Sequence, residues 1–310
     1  MTPHPERATH QSLVFSSILY PGKAAESNSL LLAGSIREFG GALSTQPIWY
    51  FAPRLDHELS LKARARLEKL NVDIIPFEIE LHALKFPFAG HVEAAALAES
   101  KAIGSMDLLV WLAPNTLVLR EPSDFFLVKD VILGYRPVHH KLLGLDYEEP
   151  LDVFWKTVYD HFDIGKEQIF PMKPHIEEKP INPYFNAGSL TIRPERRLFT
   201  RWCDSFFKVY QDPTLQGLYK RDERYAIFIH QAVLTGVILS SIKIEEMVEL
   251  PSSYNYPIHL YAEDSTDSKP SSLEDCITLR HETFHNDPTW KEKIPFSEML
   301  KEWIAQKLLP

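Results

Sequence analysis

Near the carboxyl-terminal end, His281-Glu282-Thr283-Phe284-His285 spells H-E-x-x-H, the pattern in which two imidazoles one helical turn apart hold zinc and the glutamate acts as base. That chemistry needs a helix. A β-type run, CITLR (276–280), precedes the motif and Asn286-Asp287-Pro288 follows at once, so the surroundings oppose one. A zinc hydrolase is therefore the remote reading and a structural loop the plain one; Glu298 or Glu302 would have to supply the third ligand. Other polar groups are spread along the chain. Asn115 follows Pro114 at the end of an apolar run, where it either faces a ligand or starts a turn. Asn186 stands two residues before Gly188, and a glycine within a strand marks a bulge or the close approach of a ligand or backbone. His230 and Gln231 lie in an apolar stretch, YAIFIHQAVL (225–234), as ligand-facing groups or as satisfied core ones. Tyr254-Asn255-Tyr256 before Pro257 suits a sugar or base site, or ordinary loop chemistry. Lys23 closes SSILYPGK (16–23), after the first strand, within reach of a phosphate.

Positioning these groups falls to alternating strands and helices. SLVFSSILY (12–20), PIWYFA (47–52), VDIIPF (72–77) and DLLVWLA (107–113) read as strands, the last as a central one buried on both faces. Between them the apolar spacing predicts helices over 26–39, 58–70 and 89–102. The second half holds a strand at 130–138, a helix at 151–162, a Pro-rich connection over 163–183 and a strand at 184–194. Helices follow over about 195–210 and 224–235, then strands at 237–244 and 276–281 and a terminal helix at 296–309. Strands alternating with helices predict an α/β domain with a mostly parallel sheet, whose ligand sites lie at the carboxyl ends of the strands.

Composition narrows the partners. With 33 basic and 42 acidic side chains the formal charge is −9, and no Lys/Arg run exists, which opposes binding of nucleic acid through its phosphates. A small anionic ligand needs only a few local donors. The 45% hydrophobic content excludes a disordered chain, and no apolar run approaches the ~20 residues that span a bilayer. Cys203 and Cys276 are the two cysteines, too few for a disulfide framework; with a polar N-terminus, a cytoplasmic location is expected.

Taken in order, several segments resemble the GT-A-fold glycosyltransferases that use nucleotide-diphospho-sugars, the glycogenin-like family 8 in particular. DLLVWLAPNTLVLREPSDFF (107–126) is similar to the segment in which an apolar strand delivers an Asp-x-Asp motif. Phe185-Asn186-Ala187-Gly188 is similar to the family's Phe-Asn-x-Gly strand, and His230-Gln231 stands where Asp-Gln is common. LPSSYNYP (250–257) is similar to a Leu-Pro-x-x-Tyr-Asn segment, and His281 to a late histidine that touches metal and diphosphate. The resemblance spans about 12–290. It implies a Rossmann-like GT-A fold, a single continuous domain, and transfer of a hexosyl group from a nucleotide sugar to an acceptor.

One departure stands at the centre. Where the family places two carboxylates to hold a divalent cation, this chain has Ala113 and Asn115, so the motif is degenerate and Mn²⁺ or Mg²⁺ of the usual kind is not expected. The alternative is a catalytically inactive GT-A-fold binding protein. The expected organisation is a polar tail (1–11), a GT-A-like domain (12–295) with a nucleotide-binding half (12–136) and an acceptor half (137–295), and a C-terminal helix (296–310). Carried over by the resemblance, Lys23, Asn115, Asn186, Gly188, His230, Gln231, Asn255 and His281 are the substrate-binding candidates. Asn115 and Asn186 are expected to share a pocket with His281 on its far wall and Lys23 at its rim, those two or backbone N–H groups meeting the diphosphate charge.

Overall fold

The computed structural model describes residues 11–79 and 85–309. Ten strands and nine α-helices are found among them: β1 (Leu13–Ile18), α1 (Lys23–Phe39), β2 (Ile48–Pro53), α2 (Leu61–Lys69), β3 (Val72–Phe77), α3 (Ala89–Ala102), β4 (Leu108–Leu112), β5 (Thr116–Val118), β6 (Leu133–Pro137), α4 (Val153–His161), β7 (Phe185–Ile192), α5 (Leu198–Val209), α6 (Pro213–Tyr219), α7 (Glu223–Ser241), β8 (Met247–Glu249), β9 (Tyr256–Pro257), β10 (Thr278–Arg280), α8 (Trp290–Lys293) and α9 (Glu298–Lys307). Except for Gln11, the polar tail expected over 1–11 lies outside the described residues.

Seven strands form one sheet in the order β3-β2-β1-β4-β7-β6-β8. The first four run parallel, β7 runs antiparallel to β4 and β6, and β8 runs parallel to β6. The chain thus winds outward from β1 to β3 and returns to place β4 on the other side of β1. That reversal opens a crevice at the carboxyl ends of the central strands. Both faces of the sheet are covered. Val14, Trp49, Phe51, Leu109 and Trp111 pack toward α3, α4, α5 and α7, while Leu13, Phe15, Ile48, Tyr50, Leu108 and Val110 pack toward α1 and α2. The alternation along each strand explains why these segments read as continuous apolar runs.

A second, three-stranded sheet, β5-β10-β9, stands beyond β4 and joins α1, α8 and α9 around Leu117, Leu279, Trp290 and Ile304. Local signals explain most helix ends. Ser60, Asp152, Asp212 and Ser297 each accept a backbone N–H in the first turn of α2, α4, α6 and α9. α5 has no side-chain cap of its own, its preceding Arg197 being left-handed. Glu99 of α3 supplies the acceptor instead, taking the N–H groups of Phe199 and Thr200 at 3.0 and 2.7 Å. The strand expected at 237–244 is a correction: those residues mostly extend α7, which runs unbroken to Ser241. Gly236 suggests a break, but the Phe162 ring occupies the space where a side chain there would lie, so the glycine is a packing choice inside a helix.

Candidate active site

A cavity of about 320 Å³ opens at the carboxyl end of β4, between the turn at Ala113–Asn115, the start of β7 and the middle of α7. β7 is antiparallel to β4, with Ser189 opposite Leu112, and this register brings Asn186 and Gly188 to the same end of the sheet as Asn115. Asn186 Oδ1 accepts the Gly188 N–H at 2.8 Å, which fixes the amide's orientation and leaves its N–H₂ for the cavity. Gln231, on α7, accepts the Ala187 N–H at 3.1 Å through Oε1, so helix and strand are locked together at the wall.

His230 stands beside it. Its Nδ1 lies 2.8 Å from Ile227 O and must carry the proton, which leaves Nε2 as an acceptor. Burial lowers its pKa to about 3, so the ring is neutral. The Phe88 ring stacks on it at 4.2 Å, held there by a backbone at φ 64, a conformation uncommon for a bulky residue and frequent at functional sites. Across the cavity His139 Nε2 meets Asn255 O at 3.0 Å and so donates; burial holds this imidazole well below its ordinary pKa too.

Asn115 makes two bonds to one neighbour. Its Nδ2 donates to His281 O at 2.5 Å, and its own carbonyl accepts the His281 N–H at 3.0 Å. This clasp, added to the pairing of β10 with β5, holds the end of β10 against the end of β4. It brings in a residue that the sequence reading passed over, Arg280. Among the described residues lining the cavity Arg280 is the one guanidinium or ammonium, and Glu282 the one carboxylate. Arg280 Nε and Nη1 are shielded from solvent and have no hydrogen-bond partner. Burial lowers its pKa to about 10, an effect Glu282 partly offsets, so the group stays charged at neutral pH. Glu282 itself is exposed and pairs with His259 at 3.1 Å. The available signal was a lone charge in the apolar run CITLR, on the same side of the strand as Thr278.

Asn115, Asn186, Gly188, His230 and Gln231 are thus brought together, and three expected partners are not. Lys23 begins α1 after a turn at Gly22 and lines a separate cavity with His57 and Glu58. Asn255 is fully buried and touches the cavity wall only through its carbonyl on His139. His281 is fully buried against Phe284, with Nδ1 accepting the Thr283 N–H at 3.1 Å. Burial and the adjacent Arg280 lower its pKa to about 3, so it is neutral at pH 6–7 and supplies no charge. Nor do His281 and His285 share a helical face, because Thr283 turns the backbone to φ 74 and Phe284–Asn286 is a single 3-10 turn. Among the described residues no three His, Cys, Asp or Glu side chains gather closely enough to hold a metal ion, and no helix is long and apolar enough to cross a membrane.

Comparison with known proteins agrees with this architecture. The galactosyltransferase LgtC, solved with donor and acceptor sugar analogues, superposes with a TM-score of 0.50 at 14% identity, covering 96% of this chain and 100% of that one. A structure of an active-site mutant of LgtC gives 0.52 at 14% identity, with 96% of each chain covered. The bifunctional glycosyltransferase WbbM gives 0.51 at 13% identity over 98% of this chain and 51% of that protein. These likenesses establish the GT-A fold. No curated protein sequence matches. Residues 18–240, well over half of the chain, match one family, and the chain accordingly belongs to the Rhodobacterales glycosyltransferase domain family.

Proposed function

We propose that this protein transfers a sugar from a nucleotide-diphosphate donor to an acceptor hydroxyl, and does so without an Asp-x-Asp metal site. The observation that carries this reading is the convergence of Asn186, Gly188, Gln231 and Arg280 on one cavity at the carboxyl end of β4. In the transfer, the acceptor oxygen bonds to the anomeric carbon. The bond from that carbon to the β-phosphate oxygen breaks with its electron pair left on the diphosphate, and the hydroxyl proton passes to water or to the departing diphosphate. Amide groups of Asn186 and Gln231 suit the hydroxyls of the sugar. The segment 12–136 holds the nucleotide in this reading and 137–295 shapes the acceptor side. Kinship with the glycogenin-like family 8, and with it a degenerate Asp-x-Asp motif at Ala113 and Asn115, fits the same placement.

The residues at those two positions do not fit a divalent cation. Ala113 carries no donor atom, and Asn115 turns an amide N–H, not a carboxylate, toward its neighbour. The loss of the carboxylate pair equally favours a second reading, a relative that binds a nucleotide sugar without turning it over. Thermal shift with UDP, GDP and their sugars, each in EDTA and in Mn²⁺, tests the binding, and release of free nucleoside diphosphate tests the turnover. A raised unfolding temperature in EDTA with at least one nucleotide is expected, since ligand bound to the native state stabilises it by mass action. A shift seen only with Mn²⁺ would overturn the metal-free reading. Binding without release would favour the inactive relative.

A further inference from the structure

We propose that Arg280 is the resident cation of this site, its guanidinium receiving the diphosphate of the donor where a metal ion would otherwise stand. The inference rests on the glycosyltransferase reading and adds the group that meets the charge. Three observations support it independently of any bound molecule.

The first is the state of the side chain. Arg280 Nε and Nη1 are shielded from water and donate to nothing. A shielded cation with unused donors is costly to keep unless an anion arrives to use them. The one carboxylate in the lining, Glu282, is solvent-exposed and directed to His259, so water screens its charge and it takes neither of these Arg280 donors. The neutral imidazoles of His139 and His230 add donors and acceptors but no charge.

Placement is the second observation. Arg280 lies opposite Thr116 in the β5–β10 pairing and one residue before the Asn115–His281 clasp. The guanidinium is thereby carried to the carboxyl end of β4, beside Ala113 and Asn115. The third is the room made for it. A Cβ at Gly188 would collide with Arg280 Nη1 and crowd Asn186 Oδ1, so the absence of a side chain at 188 lets the guanidinium lie against the β7 backbone. A planar fork of five donors suits the oxygens of a diphosphate, and a fixed positive charge stabilises the extra negative charge that builds as the sugar departs.

Calorimetric titration in EDTA with UDP and, separately, with inorganic pyrophosphate tests this on the full chain. The wild-type protein should bind both without metal. Arg280→Gln should weaken both at least tenfold, while the unliganded protein unfolds at the same or a higher temperature because an uncompensated cation has been removed. Gly188→Ala keeps the charge but displaces the guanidinium, and should weaken binding in the same sense. Should Arg280→Gln fail to fold, Gly188→Ala alone decides. Unchanged affinity in both variants, or wild-type binding that requires Mn²⁺, overturns the proposal. Pyrophosphate bound through Arg280 with no nucleotide sugar bound would leave the anion site standing and sink the glycosyltransferase reading. Nucleotide-sugar turnover unaffected by Arg280→Gln would do the reverse.

Discussion

Asn115 shows how a residue can keep a position while changing its work. At the end of β4, where the resemblance expects a carboxylate, its side-chain amide N–H instead donates to His281 O at 2.5 Å, and its backbone carbonyl accepts the His281 N–H at 3.0 Å. Replacing the amide by a carboxylate turns a donor into an acceptor facing a carbonyl oxygen. Asn115→Asp should therefore destabilise the protein by about 1–3 kcal/mol, the cost of a broken bond plus an unpaired polar group in a partly buried turn. Urea unfolding with the slope held in common would read it as a lower midpoint. Loss of the side-chain half of the clasp also loosens the end of β10, which the backbone bond and the pairing with β5 still hold, so the same variant should weaken diphosphate binding without removing Arg280. If Asn115→Asp is as stable as the wild type, the clasp does not hold β10, and a restored carboxylate pair with Ala113→Asp becomes a feasible metal site.

The elements were legible in the sequence to the extent that their own patterns decide them. β1, β2 and β4 bury both faces and read as apolar runs; α1 and α2 read by spacing and by stops such as Gly40. The same holds at the site: Asn115, Asn186, Gly188, His230 and Gln231 belong to strand ends and a helix that local pattern locates. Arg280 was not legible, because its position depends on pairing between β10 and β5 and on a contact joining residues 166 apart in the chain. α7 was half legible. Its β-branched end and Gly236 read as helix, break and strand, but packing against Phe162 overrides that local preference. Two effects therefore compete in Gly236→Ala. Helix propensity favours alanine by ~1 kcal/mol, while overpacking against a ring typically costs about 1–3 kcal/mol. The expected net is a loss of roughly 1 kcal/mol, read as a lower melting temperature with helix content unchanged by circular dichroism. A more stable variant would show that Phe162 can move aside, and that the glycine is not there for packing.

At the scale of the whole molecule the buried imidazoles set the response to acid. His175, His230 and His281 are 4%, 5% and 0% exposed, and burial lowers each pKa to about 3. In the unfolded chain an imidazole titrates near 6.5. Between these values the unfolded state binds protons that the folded state refuses, so stability rises with pH across the window and falls as acid is added. Each such group contributes up to about 1.4 kcal/mol per pH unit, so these three give up to ~4 kcal/mol per unit, and His91 and His139, which burial lowers as well, add to that, against a total stability of about 5–15 kcal/mol for an ordinary domain. Depressed carboxylates such as Asp264 and Asp287 act in the same direction, but at lower pH. The melting temperature should therefore be nearly level from pH 8 to 7 and fall steeply below about pH 6. His281→Gln should make that decline shallower, since it removes one of these groups while keeping a polar side chain of similar reach. Scanning calorimetry across pH 5 to 8 measures both. A melting temperature that stays level to pH 5 would mean that these rings accept protons without unfolding, and hence that water reaches them in the native state.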